Sequence, residues 1–228
     1  MAKSNQLDID RLLAETEEAM RSIADPVQAE RMASYMKHFV YLGIPSPARN
    51  EIQKELFKEI RKPDLRDIEQ MVQRCWEFEE REFQYLGMDL WKRFVKKPRK
   101  ESLPLIESWI SSKSWWDTVD ALAVHFAGRY FKTHPEGRAE RADYWASHSD
   151  MWLRRTALLY QLGYKEETDW EQLCRHMKPM AQEQEFFIRK AIGWALRQHS
   201  KVDPDAVRDF ITETELSGLS VREGSKYL

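Results

Sequence analysis

Apolar residues recur at intervals of three and four along nearly the whole chain, and no stretch alternates apolar with polar residues between hairpin turns. The first pattern belongs to helices with one buried face, and the lack of the second removes half-buried strands. The sequence therefore predicts an all-α fold. With 8 Gly and 9 Pro in 228 residues, internal helix breakers are scarce. The spacing predicts helices over 6–22, 30–44, 48–62, 64–78, 80–96, 103–111, 114–131, 141–147, 151–163, 169–181, 185–200 and 204–213.

A weak internal repeat underlies these helices. Phe83, Trp116, Trp152 and Phe187 each open a helical segment, at offsets of 33, 36 and 35 residues. A helix paired with a partner at that period is the mark of an α-solenoid. The small and aromatic consensus of a tetratricopeptide repeat is absent, so the reading is an α-solenoid of HEAT-like repeats. It forms one domain over residues 1–228, with a concave face for an extended partner.

Composition limits the partners. The net charge is −2, so a polyanion site requires local segregation of basic residues. The two cysteines, Cys75 and Cys174, lie far apart and read as free thiols of a reducing compartment. The N-terminus has no apolar core of a secretory signal, and no run approaches the length of a membrane span. The six histidines show no zinc-ligand spacing, and no P-loop, GxGxxG, GxSxG or Gly/Pro-rich helix-hairpin-helix stretch is present.

The stretch SSKSWWDTVD (111–120) combines two costly residue types. Trp is expensive to expose, and Asp is expensive to bury without a partner. Ser114 is the expected N-cap, with Asp117 at the capping-box position and favourable to the helix dipole. Trp115, Val119, Leu122 and Phe126 form a core stripe. Trp116 and Asp120 share a neighbouring stripe, continued by Ala123 and Ala127, whose small side chains leave room beside the carboxylate.

Cations accompany this stripe elsewhere. In MWLRRTALLYQLG, packing of Trp152, Leu153, Ala157 and Tyr160 leaves Arg154 and Arg155 on polar faces. In EFFIRKAIGWALR, Lys190, Trp194 and Arg197 share an i, i+4, i+7 face, which suits a polyanion with a flat or apolar element. WKRFVKKPRK (91–100) adds further basic density. Taken singly, each of these also reads as ordinary surface: a solvated charge run, or a snorkelling cation beside a half-buried Trp.

YMKHFVYLGIPSPARN, WEFEEREFQY, SKSWWDTVDALA, WLRRTALLYQL and FFIRKAIGWALR together resemble the AlkD family of bacterial DNA alkylpurine glycosylases, over about residues 30–200. The resemblance implies a curved stack of HEAT-like repeats with a positively charged groove for duplex DNA. It implies excision of cationic N3- and N7-alkylated purines without a cofactor or metal. It assigns catalysis to Asp120, flanked by Trp116 and Trp194, with Arg155 on a backbone phosphate. Tyr35 corresponds to a site tyrosine, and Arg154, Lys190 and Arg197 join it as DNA contacts. It further implies a monomeric, monofunctional hydrolase of the bacterial cytoplasm, associated with the nucleoid through DNA alone.

Two other readings remain open on the residues: a non-catalytic DNA-binding relative with the same groove, and a HEAT-like protein-binding scaffold. Salt-dependent DNA binding separates the second from the rest, and base release separates the enzyme from both.

Overall fold

The computed structural model describes residues 7–228, so Gln6 of the predicted 6–22 helix and the segment before it lie outside the described residues. Within them the chain is helical, and the β-pairing is one isolated bridge, Val40 with Glu80. No helix among the described residues is long and apolar enough to cross a membrane. The chain divides into two compact units, one ending at Pro98 and the other beginning at Arg99.

The first unit contains α1 (Ile9–Ser22), α2 (Pro26–Tyr35), α3 (Ser46–Glu59), α4 (Leu65–Glu77) and α5 (Arg81–Phe94). Helix α1 packs on α3 and α4, and α4 and α3 both pack on α5. Aspartates start several of these helices. Asp8, Asp25 and Asp64 each accept a hydrogen bond from a backbone N–H of the first turn, filling donors that have no intrahelical partner.

The helix predicted over 30–44 is cut short. The 30–44 pattern predicts a continuous helix, yet α2 begins at Pro26 and ends at Tyr35. The residues beyond it are held open by a buried carboxylate. Glu82 of α5 accepts from the backbone N–H groups of Leu42, Gly43 and Ile44, at 3.1, 2.9 and 3.1 Å. Gly43 has φ +84°, and a Cβ there would lie 2.1 Å from the Asp25 carbonyl oxygen. Three charge-assisted bonds and a left-handed glycine outweigh local helix propensity at this point.

The second unit contains α6 (Ser102–Ser111), α7 (Trp116–Ala121), α8 (Gly128–Thr133), α9 (Arg138–Ala146), α10 (Met151–Leu159), α11 (Trp170–Met180), α12 (Phe186–His199), α13 (Pro204–Glu213) and α14 (Gly218–Gly224). Consecutive helix pairs stack: α10 packs on α9 and on α12, and α12 packs on α13 and α14. A continuous apolar cluster runs between them, including Leu158, Leu159, Met177, Ile188, Ile192, Leu196 and Phe210. Helix α14 lies in a segment for which the apolar spacing predicts no helix.

A π-helical turn, Leu122–Ala127, joins α7 to α8. The Gly128 N–H reaches back five residues to the Ala123 carbonyl. Gly128 permits this close packing, because a Cβ would sit 2.4 Å from the Tyr160 carbonyl oxygen. The Gly128 carbonyl in turn accepts from the Tyr164 hydroxyl at 2.6 Å.

Candidate active site

The opening motif lies where α7 leads into the π turn. Ser114 is not the helix cap: its hydroxyl donates to the Ile110 carbonyl at 2.6 Å, and extended Trp115 precedes the helix with no side-chain cap. Trp115 packs its ring against Trp152 and Phe187, with centroids at 5.7 and 5.0 Å. Trp116 points the other way. It is the exposed member of the nine tryptophans among the described residues, at 36%.

Trp116 and Asp120 line a cavity of about 460 Å³, together with Asp117, Ala121, Val124 and His125 from the same helical wall. Leu162 and Gly163 close it after α10, and Trp194 and Gln198 close it from α12. The structure therefore brings Trp116, Asp120 and Trp194, 74 positions apart in sequence from Asp120 to Trp194, to one cavity of small-molecule size. The expected stripe is modified. Ala123 and Ala127 are fully buried, and Val124 and His125, in the π turn, stand at the wall with Ala121 of α7.

Asp120 is held from behind. Arg155 Nε donates to Asp120 Oδ1 at 2.7 Å, and Arg155 Nη2 donates to Oδ2 at 2.9 Å. The remaining nitrogen, Nη1, donates to the Phe187 carbonyl. The side chains are 16% and 5% exposed, so this is a nearly buried, bidentate pair with one carboxylate edge left toward the cavity. Burial raises the Asp120 pKa from its ordinary value, and the Asp117 charge adds to that; the hydrogen bonds and charge of Arg155 oppose it. Asp150 caps α10 by accepting from the Trp152 N–H at 2.8 Å, which fixes the helix that carries Arg155.

The sequence profile of the family described as "DNA alkylation repair enzyme" matches residues 16–228. The chain belongs to this family. It is similar to the solved structure of a predicted DNA alkylation repair enzyme from Enterococcus faecalis, at 36% identity and a TM-score of 0.82, covering 90% of this chain and 96% of that one. Two structures from Streptococcus mutans share the fold at lower identity. AlkD2 has 16% identity and a TM-score of 0.65 over 96% of this chain and 99% of that one. The protein smu.31 has 17% identity and a TM-score of 0.60 over 92% and 99%. No curated protein sequence matches the chain at a significant level.

In this member of the DNA alkylation repair family, the expected cations have partners within the chain. Arg155, expected on a polar face and on a phosphate, is buried with all three guanidinium nitrogens committed within the protein. It positions the carboxylate. Arg154, expected as a DNA contact, donates to the carbonyls of His148 and Ser149, both at 2.9 Å, and pairs with Glu183 at 3.1 Å. It ties the turn before α10 to the residues before α12.

Lys190 and Arg197 already face an anion of this chain. Glu223 of α14 lies 3.1 Å from Lys190, 3.5 Å from Arg197 and 2.8 Å from Lys226. The hydrogen bonds of Lys226 and then Lys190 lower the Glu223 pKa to about 2. Gly193 makes room for this contact, since a Cβ there would lie 2.5 Å from the Glu223 Cβ. Trp194 parts company with its two cationic neighbours and turns to the cavity of Asp120.

Tyr35 belongs to the first unit. It is 77% exposed at the end of α2 and lines a different pocket. In the basic run, Lys92 pairs with Asp89 and Arg99 with Glu101, while Lys96 and Lys97 are exposed. Among the described residues no group of His, Cys, Asp and Glu has the arrangement of a metal site. The periodic pattern gave no sign of Glu223 as a partner. Gln198 was within reach of it, being one turn beyond Trp194 on the same face.

Proposed function

We propose that this protein, as one domain over the whole chain, is a monofunctional glycosylase that hydrolyses the N-glycosidic bond of N3- and N7-alkylated purines in duplex DNA. The observation that carries the reading is the joint placement of Trp116, Asp120 and Trp194 on one cavity, with Asp120 fixed by Arg155. Membership of a DNA alkylation repair family supports DNA as the substrate.

The chemistry follows from the charge of the lesion. Alkylation at N3 or N7 makes the purine cationic, so the base departs as a neutral molecule and needs no general acid. The bond electrons leave with the base, and positive charge develops on the deoxyribose ring. One carboxylate suffices. Asp120 stabilises the oxocarbenium-like sugar and accepts a hydrogen bond from the water that attacks C1′. Arg155 does the positioning: two donors behind the carboxylate fix its plane, so little reorganisation is needed as charge develops. Trp116 and Trp194 present π faces to the cationic sugar and keep bulk water away.

The duplex lies in the groove that the sequence resemblance implies. Tyr35, Lys190 and Arg197 contact the strand, the last two by exchanging Glu223 for phosphate. The enzyme works as a monomer in the bacterial cytoplasm, reaching the nucleoid through DNA alone. The test is incubation of the purified protein with methylated duplex DNA. Free N3-methyladenine and N7-methylguanine, with an abasic and unbroken strand, are the expected products. DNA binding without base release would favour a non-catalytic groove.

A further inference from the structure

The first unit carries a second pocket, of about 390 Å³, that shares no residue with the Asp120 cavity. Its wall includes Tyr35, Tyr41, Tyr85, Met32 and Met36, with Arg31, Ser46 and Arg49 as polar groups. Arg49 is the unusual member. It is only 9% exposed, and among the described residues no carboxylate lies within ion-pair distance of its guanidinium. Its Nε has no hydrogen-bond partner, and its guanidinium carbon stands 4.9 Å from the Tyr85 ring centroid.

A guanidinium is costly to bury without an anion. The Tyr85 face offsets part of that cost. The carboxylate in the pocket wall, Glu82, does not offset the rest, because it is committed to the amides of Leu42, Gly43 and Ile44. Burial accordingly lowers the Arg49 pKa from its ordinary value, with Asp89, Tyr85 and Glu82 opposing. Ser46 and Arg49 also stand in the first turn of the 14-residue α3, whose N-terminus has no side-chain cap. Partial positive charge from the helix end thus adds to two guanidinium groups, Arg31 and Arg49.

We infer that this pocket binds a nucleoside phosphate, with the phosphoryl group on Arg49 and Arg31 at the start of α3 and the base against Tyr35 and the Tyr85–Tyr41 wall. A buried, unpaired guanidinium calls for an oxyanion, and the surrounding tyrosines and thioethers call for a flat, largely apolar neighbour of it. The volume falls in the range of about 300–1,000 Å³ typical of small-ligand sites. The ligand is either one nucleotide unit of a DNA strand or a free nucleotide. The inference does not rest on alkylpurine chemistry.

Calorimetric titration of the full chain with undamaged ligands tests it: dAMP, an unmodified thymidine tetranucleotide and inorganic phosphate. The expected result is binding of dAMP, the tetranucleotide or both, with phosphate alone weaker. Binding of dAMP identifies a free-nucleotide site, and binding of the tetranucleotide alone identifies a strand site. Arg49→Gln should weaken the bound ligand at least about ten-fold, with circular dichroism verifying the fold. Tyr35→Ala, at an exposed position that carries no core packing, should weaken it several-fold and serves where Arg49→Gln does not fold. No binding of either nucleotide ligand overturns the inference. So does wild-type affinity in folded Arg49→Gln or, where that variant does not fold, in Tyr35→Ala. Base release is not read; the strand arm rests on the DNA-binding reading, which already gives Tyr35 a strand contact, whereas binding of dAMP and its loss in Arg49→Gln stand apart from it.

Discussion

Arg155 grips both oxygens of Asp120, at 2.7 and 2.9 Å, and spends its third nitrogen on the Phe187 carbonyl. An arginine expected to hold a backbone phosphate instead holds the Asp120 carboxylate. The pair links α7 to α10 and, through Phe187, to α12, so the helices that wall the cavity meet at one buried charge pair.

Arg155→Ala should therefore cost stability as well as rate. Removing one partner of a buried pair leaves the other charged and unpaired, typically a loss of about 3–5 kcal/mol. Urea unfolding of the variant measures this. Affinity for undamaged DNA should fall less than base release, since Arg155 makes no outward contact.

The pH dependence of base release should report Asp120. Burial, with Asp117, raises its pKa, so activity should fall on the acid side with a midpoint above the ordinary carboxylate range. Asp117→Asn removes one raising charge and should move that midpoint down. The sign for stability is opposite to that for activity. A carboxyl raised in the folded state contributes stability below its unfolded pKa, and loses it as pH rises through the folded value. Single-turnover rates across the acid range, beside unfolding curves at the same pH values, check both signs.

Glu223 should behave in the opposite way. Its pKa falls from 4.5 to about 2, so it stabilises the fold above the higher value and ceases to as pH falls through that window. Glu223→Gln should remove this part of the acid sensitivity. It also releases Lys190 and Arg197, so the variant should bind duplex DNA more tightly at low salt, with a steeper fall of log K against log salt. Fluorescence anisotropy over a salt series measures the slope.

Gly193→Ala tests the close approach of α12 and α14. The added Cβ meets the Glu223 Cβ at 2.5 Å and the Ser220 carbonyl at 3.0 Å, and neither is the end of a flexible chain. Overpacking of this kind costs about 1–3 kcal/mol, readable by chemical denaturation, and should loosen the Glu223 cluster.

Periodicity alone made the helices and the pairing of Trp116 with Asp120 legible, because a buried face writes itself into the spacing of apolar residues. What it did not carry were the decisions made by partners far away in sequence. The helix expected over 30–44 yields at Tyr35 to Glu82, forty residues downstream of Leu42. Arg155 looks like a surface arginine until Asp120 is placed against it, 35 residues away in the chain. The π turn at Leu122–Ala127 leaves the residue types of a regular helix in place and changes only which of them face the cavity. Lys190 and Arg197 read as cations awaiting phosphate because Glu223 sits in a short helix without a clear apolar stripe.

The central claim is that Asp120 is the group that stabilises the cationic sugar as the base departs. The direct measurement is single-turnover release of N3-methyladenine from methylated duplex DNA by the wild type and by Asp120→Asn, with DNA affinity measured alongside. The account predicts a loss of release on the order of 10²–10³-fold, the size of one preorganised electrostatic group, with affinity for DNA nearly unchanged. Release by Asp120→Asn at the wild-type rate would contradict it.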